Sequence, residues 1–125
     1  MFLCTSGTGR VYKMVIEQDS LQLVRIDKTY FNGYNFESLY FNLDSTIFSY
    51  GGYGFWHING DLRMFIHDVG EWDIKPTNIN VPRMIEFDKP DNFHYLDTMT
   101  RSLYVAGPKW IKDPIKANHS TAVQI

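Results

Sequence analysis

The 125-residue sequence lacks the features that define several large classes of protein. Its single cysteine, Cys4, has no partner for an internal disulfide, which excludes the small secreted scaffolds that disulfides hold together. No apolar run approaches the roughly 18 residues of a transmembrane helix, so no membrane span is expected. Twelve basic and fourteen acidic residues, with neither sign in blocks, predict no surface for DNA or RNA.

Helical periodicity is missing too, because no long window keeps its apolar residues at helical spacing. The sequence is instead 44% hydrophobic and 16% aromatic, and its aromatic and β-branched segments alternate with short polar turns. Eight strands are predicted, at Gly9 to Glu17, Leu21 to Ile26, Phe36 to Asn42, Thr46 to Tyr50, Leu62 to His67, Glu71 to Lys75, Phe93 to Leu96 and Ser102 to Ala106. The turns between them favour antiparallel hairpins, so the predicted fold class is all-β and antiparallel.

The sequence also repeats itself at intervals of about fifty residues. Thr46 to Gly52 aligns with Ser102 to Pro108, 56 positions further on, and Gly9 to Met14 aligns with Gly60 to Phe65, 51 positions further on. Between Pro76 and Pro90 the strand pattern loosens, and prolines remove backbone donors there, which suits a crossover between two units. Sheet units that repeat at this spacing indicate an array, and arrays usually bind partners.

The best-defined unit has an apolar strand that ends at Gly51 and Gly52, with Trp72 twenty residues beyond the pair. This pattern resembles the kelch repeat, whose blade is a four-stranded antiparallel sheet of a β-propeller. The resemblance implies one complete blade over residues 36–75, the latter half of a blade over 1–28 and the first half of another over 85–112. It also implies an incomplete propeller that assembles with further blades or other chains. Gly107 takes the place of Gly51 in the second copy of the motif, and Trp72 is expected to pack against a neighbouring blade.

The candidate binding residues follow the glycine pair: Tyr53, Phe55, Trp56 and His57. Exposed tyrosine and tryptophan anchor partners through large rigid surfaces, so the expected function is recognition of a protein or ligand by this loop. The alternative, which is the favoured interpretation of this loop, is that Phe55 and Trp56 pack under a neighbouring blade and stabilise the array; if any of the four reach solvent, Tyr53 and Trp56 are expected to.

Residues with catalytic potential do not form a recognisable motif. His57, Asp61, His67 and Asp68 are the densest set of potential metal ligands, but their spacing fits no compact site, so neither a metal nor a cofactor is expected. The glycine-rich turns do not lead into helices, and no serine lies in a strand-to-helix elbow. The alternative function is that of a propeller-fold enzyme, glycan-acting or sugar-oxidising, with catalytic residues largely outside this chain.

Overall fold

The structure is a computed structural model that describes residues 1–5, 7–29, 36–54, 56–76, 93–106 and 121–125. These residues contain strands and turns and no helix, which confirms the prediction of an all-β antiparallel fold. The twelve strands are β1 (Phe2–Cys4), β2 (Val11–Glu17), β3 (Ser20–Arg25), β4 (Leu39–Leu43), β5 (Thr46–Tyr50), β6 (Tyr53–Gly54), β7 (His57–Ile58), β8 (Leu62–Ile66), β9 (Glu71–Lys75), β10 (Phe93–Asp97), β11 (Ser102–Ala106) and β12 (Thr121–Gln124).

The strands form three larger sheets and one small hairpin. The first sheet has the order β1-β2-β3, the second β4-β5-β8-β9 and the third β10-β11-β12, and every pairing is antiparallel. Two-residue turns with left-handed backbone angles close the β2-β3 and β4-β5 hairpins, since Gln18, Asp19, Asp44 and Ser45 all have positive φ. Such turns match the right-handed twist of the strands that they join.

All eight predicted strands are present, within about three residues at each end. The sequence did not predict β1, the short strands β6 and β7, or β12. The third sheet therefore includes a strand at Thr121–Gln124, beyond the expected half blade at 85–112, and β1 gives residues 1–28 a third strand. The missed strands have at most four residues each, too few to show an alternating pattern.

One hydrophobic cluster packs the first sheet against the second. Val11 from the first sheet and Ile47 and Phe65 from the second are fully buried there. Trp72 packs at the edge of the cluster, and its indole Nε1 donates a hydrogen bond of 2.7 Å to the carbonyl oxygen of Gly9. The sheet that Trp72 contacts is thus the one that precedes it in the chain.

A second cluster packs the second sheet against the third. The second sheet contributes Leu39, Leu43, Phe48, Tyr50 and Leu62, and the third contributes Leu103, Val105 and Val123. Because side chains alternate along a strand, Ile47 points to the first sheet while Phe48 and Tyr50 point to the third. The strand β5 is therefore buried on both faces, which explains why the adjacent residues Ile47 and Phe48 are both apolar.

A buried carboxylate, Asp27, follows the last strand of the first sheet. Its Oδ1 accepts hydrogen bonds from the Val11 amide (2.8 Å) and Arg25 Nε (3.0 Å), and its Oδ2 accepts from Arg25 Nη2 (2.9 Å) and the Thr29 amide (3.1 Å). Burial alone would raise the pKa of Asp27, but these bonds outweigh it and lower the pKa to about 2. The group is thus an ionised clamp between β2 and the segment after β3.

Candidate functional site

The candidate site is built on the loop that connects the two central strands of the second sheet. Gly51 and Gly52 follow β5 with φ of 66° and 99°, values that glycine adopts without steric cost. They turn the chain out of the sheet into the hairpin of β6 and β7, which we call the loop hairpin (residues 53–58).

Backbone hydrogen bonds fix the base of the loop hairpin. The Gly51 amide donates to the Asp61 carbonyl at 3.0 Å, and the Asn59 amide donates to the Gly52 carbonyl at 2.9 Å. The buried side chain of Asn59 accepts a bond of 3.1 Å from the Asp61 amide. The loop hairpin is consequently held at its root by the residues that connect it to the core strands β5 and β8.

A third segment pairs with the loop hairpin. Phe36, which precedes β4, forms an antiparallel bridge with Tyr53, with N to O distances of 3.0 and 2.8 Å in the two directions. Residues directly opposite in such a pair carry their side chains on the same face. The ring of Phe36 also lies against the Cα of Gly7, where a Cβ would come within 2.4 Å of it. Phe36 therefore joins the loop hairpin to the first sheet.

Three aromatic side chains around this hairpin reach solvent, and we call Phe36, Tyr53 and Trp56 the aromatic patch. Trp56 is 92% exposed, Phe36 is about half exposed and Tyr53 is 39% exposed. At full exposure one such ring presents on the order of 200 Å², so together the three present on the order of 400 Å². An area of this size is that of the largest apolar patch on a typical monomeric protein, and such patches are often functional.

The backbone of Trp56 is strained. Its φ is 68°, in the left-handed region that costs a residue with a side chain roughly 1–2 kcal/mol. Gly54 pairs with His57, so Trp56 is the second of two residues that connect the strands of the hairpin, a position that favours glycine. A large, exposed ring at a glycine position contributes little to folding, and strain of this kind clusters at functional sites.

The predicted binding residues are partly brought together. Tyr53, Trp56 and His57 lie in one hairpin and are all exposed, while Phe55 lies outside the described residues, as does Gly107. Trp56 does not pack under a neighbouring sheet, so the alternative that the sequence left open does not hold for that residue. Phe36 was missed as a site residue because only a long-range bridge places it beside Tyr53, 17 positions further along the chain.

The four potential metal ligands fall into two separate groups. His57 and Asp61 lie before β8 while His67 and Asp68 lie after it, and a five-residue strand spans about 16 Å. The ring of His67 packs against Phe2 and Phe65, with centroids 5.0 and 5.1 Å away. Within the ranges that the structure describes, no group of three His, Cys, Asp or Glu side chains could hold a metal ion.

Cys4 faces the cluster between the first and second sheets. Burial, with a smaller contribution from the nearby charge of Asp27, raises the pKa of its thiol to about 11. A thiol with such a pKa carries almost no thiolate at neutral pH and is a poor nucleophile. Cys4 therefore acts as a small apolar side chain.

The fold and the site together define a stacked antiparallel-sheet protein with an exposed aromatic hairpin. The chain matches no protein-family model, no curated protein and no solved structure. A search of the described residues for a helix that is long and apolar enough to cross a membrane found none.

Proposed function

We propose that this chain is a segment of a kelch-type β-propeller and that it recognises a protein or ligand through the loop hairpin. The observation that carries the proposal is Trp56, a 92% exposed indole held in left-handed backbone at the tip of an anchored hairpin. Strained backbone at a residue with a bulky side chain persists where the surrounding structure imposes it, and it clusters at functional sites.

The surroundings of Trp56 favour binding over chemistry. The aromatic patch offers rigid, amphipathic area from side chains with few rotatable bonds, which is the composition of binding hot spots. The hydrogen bonds at the root of the hairpin hold that area in place before a partner arrives, so little ordering entropy is lost on association.

The kelch assignment draws on the same loop and on the stack of sheets. Gly51 and Gly52 adopt the left-handed angles that a crowded turn requires, and Trp72 packs against a neighbouring sheet. Three antiparallel sheets lie face to face through two apolar clusters, an arrangement in keeping with successive blades.

A photocrosslinking residue at position 56 tests the proposed function. p-Benzoylphenylalanine in place of Trp56 should capture a partner that the same residue in place of Met99 does not, because Met99 is equally exposed but lies in a turn of the third sheet. The captured partner is then titrated calorimetrically against the wild type and against the Trp56→Ala, Tyr53→Ala and Met99→Ala variants.

We expect Trp56→Ala to weaken binding at least tenfold and Met99→Ala to leave it within twofold, as for a hot spot and a residue outside the interface. Equal affinity of the Trp56→Ala variant and the wild type would contradict the proposal.

A further inference from the structure

The two outer faces of the stack are mainly apolar and are uncovered by the residues that the structure describes. Val11 and Cys4 of the first sheet point to the second sheet, so their neighbours along the strands point away from it. The side chains on this outer face are Leu3, Tyr12, Met14, Ile16, Leu21 and Leu23, together with Arg25 at one end, whose guanidinium pairs with Asp27. Ile16, Leu21 and Leu23 are each more than half exposed. Monomeric proteins rarely leave a contiguous face of this kind open.

The third sheet has an outer face of a different composition. Leu96, Leu103 and Val123 point to the second sheet, which places Phe93, Tyr95 and Tyr104 on the opposite side. Phe93 and Tyr95 are more than half exposed and Tyr104 is more than a third exposed. One end of the stack is thus aliphatic and the other is aromatic.

The sheets stack in one direction, and residues at equivalent places of the repeat face the same way. Val11 and Leu62 are 51 positions apart, and each points toward the sheet that comes later in the chain. Ile47 and Leu103 are 56 positions apart, and each points toward the sheet that comes earlier. Each sheet therefore has one side that faces the preceding sheet and one that faces the following sheet, and equivalent residues of the repeat lie on the same side in each unit. We call these the earlier-facing and the later-facing side.

The exposed aromatic face has a buried equivalent. In the second sheet, Phe41 and Phe48 are directly opposite and stack with centroids 5.4 Å apart, on the side that the third sheet covers. In the third sheet, Tyr95 and Tyr104 are directly opposite in the same way, with centroids 6.3 Å apart, and are exposed.

The exposed aliphatic face has a buried equivalent as well. In the second sheet, Phe65 and Trp72 are directly opposite and pack against the first sheet. The corresponding pair of the first sheet is Met14 and Leu23, and Leu23 is 53% exposed. Within this chain, the aromatic later-facing side of the second sheet is covered by aliphatic side chains of the third sheet, namely Leu103, Val105 and Val123. The outer face of the first sheet offers a similar aliphatic surface.

We propose that the outer face of the third sheet docks on the outer face of the first sheet of a second copy of this chain. The contact is head-to-tail and continues the stacking that the chain already uses twice within itself. Head-to-tail contacts build rings when the rotation closes and open assemblies when it does not.

The available area is of the size that a stable contact needs. With about 200 Å² for a fully exposed large side chain, the exposed parts of the two faces sum to on the order of 800 Å² of apolar surface. A standard interface buries roughly 1,600 Å² in total, of which a little over half is apolar. These side chains alone account for most of that apolar share.

Two charge variants and a matched control test the proposal. Leu23→Glu places a carboxylate on the aliphatic face, Tyr95→Glu places one on the aromatic face, and Met99→Glu places one at a 93% exposed position on neither face. Their masses are followed by sedimentation equilibrium over a range of concentrations, and their folding by near-UV circular dichroism.

We expect the wild type and Met99→Glu to associate with rising concentration and each face variant to remain monomeric. An equal mixture of Leu23→Glu and Tyr95→Glu should form a dimer and nothing larger, because one intact face of each kind remains in the mixture. Trp56→Ala should associate as the wild type does, which separates this contact from the proposed binding loop.

A wild type that stays monomeric at every concentration overturns the proposal, and so does a face variant that dimerises by itself or a mixture that does not. If a variant fails to fold, hydrogen exchange on the wild type tests the same contact. Dilution should then raise exchange in β3 and β10 and leave β5 unchanged, and equal exchange in β3 and β10 at all concentrations would refute the contact.

Discussion

The strain at Trp56 leads to a prediction about stability that does not depend on any partner. We compare Trp56→Gly with Trp56→Ala, because both remove the indole and only glycine tolerates a φ of 68° without cost. At ordinary positions alanine is the more stable of the two by about 0.5–1 kcal/mol, since glycine has more conformational entropy to lose. Relief of the left-handed strain is worth roughly 1–2 kcal/mol and should reverse that order.

We expect the Trp56→Gly variant to be more stable than Trp56→Ala by about 1 kcal/mol. For a chain of this length that difference raises Tm by about 4 °C. Because the indole is 92% exposed, its loss removes only about 0.5 kcal/mol of burial, so Trp56→Gly should be at least as stable as the wild type. The measurements are guanidinium unfolding and scanning calorimetry. Greater stability of Trp56→Ala than of Trp56→Gly would show that the backbone is not left-handed there, and strain would then no longer indicate a functional role for Trp56.

Two further predictions concern buried groups of the first sheet. The pKa of Asp27 is about 2 when folded, below its ordinary value, so its ionisation stabilises the fold above about pH 4 and this contribution is lost as the pH falls toward 2. Asp27→Asn should therefore lower the free energy of unfolding by about 2 kcal/mol at neutral pH. In urea unfolding, the free energies of the variant and the wild type should converge between about pH 4 and 2. A difference between them that is independent of pH would contradict this. Cys4 has a thiol pKa of about 11, so at pH 8 it should react with a disulfide reagent far more slowly in the native chain than in guanidinium. Equal rates of absorbance change in the native and the unfolded chain would contradict its burial.

The fold was largely predictable because strand signals are local. Segments rich in aromatic and β-branched residues, with turn residues at the breaks, located Thr46–Tyr50, Glu71–Lys75 and Ser102–Ala106 to the residue. The strand Thr46–Tyr50 has a second signal, the apolar pair Ile47 and Phe48, which the burial of both faces explains.

The candidate site was only half predictable, because part of it depends on long-range pairing. Tyr53 and Trp56 follow the glycine pair directly, so the sequence shows them together. Phe36 joins them through a backbone bridge, and nothing near Phe36 in the sequence specifies that partner. The left-handed angle of Trp56 was equally hidden, because tryptophan does not signal such a turn as glycine or asparagine does.

A single strand also cannot show which neighbouring sheet covers each of its faces. Leu23 and Tyr95 have the alternation of half-buried strands, and that pattern predicts a covered face without saying what covers it. The covering partner becomes definable only when equivalent residues of the repeat are compared. Phe41 and Phe48 are buried by the following sheet, and Tyr95 and Tyr104 repeat their pairing with nothing described over them. A sheet unit of this kind buries both faces only between two neighbours, so the same physics that stacks three sheets within the chain also favours contact beyond it.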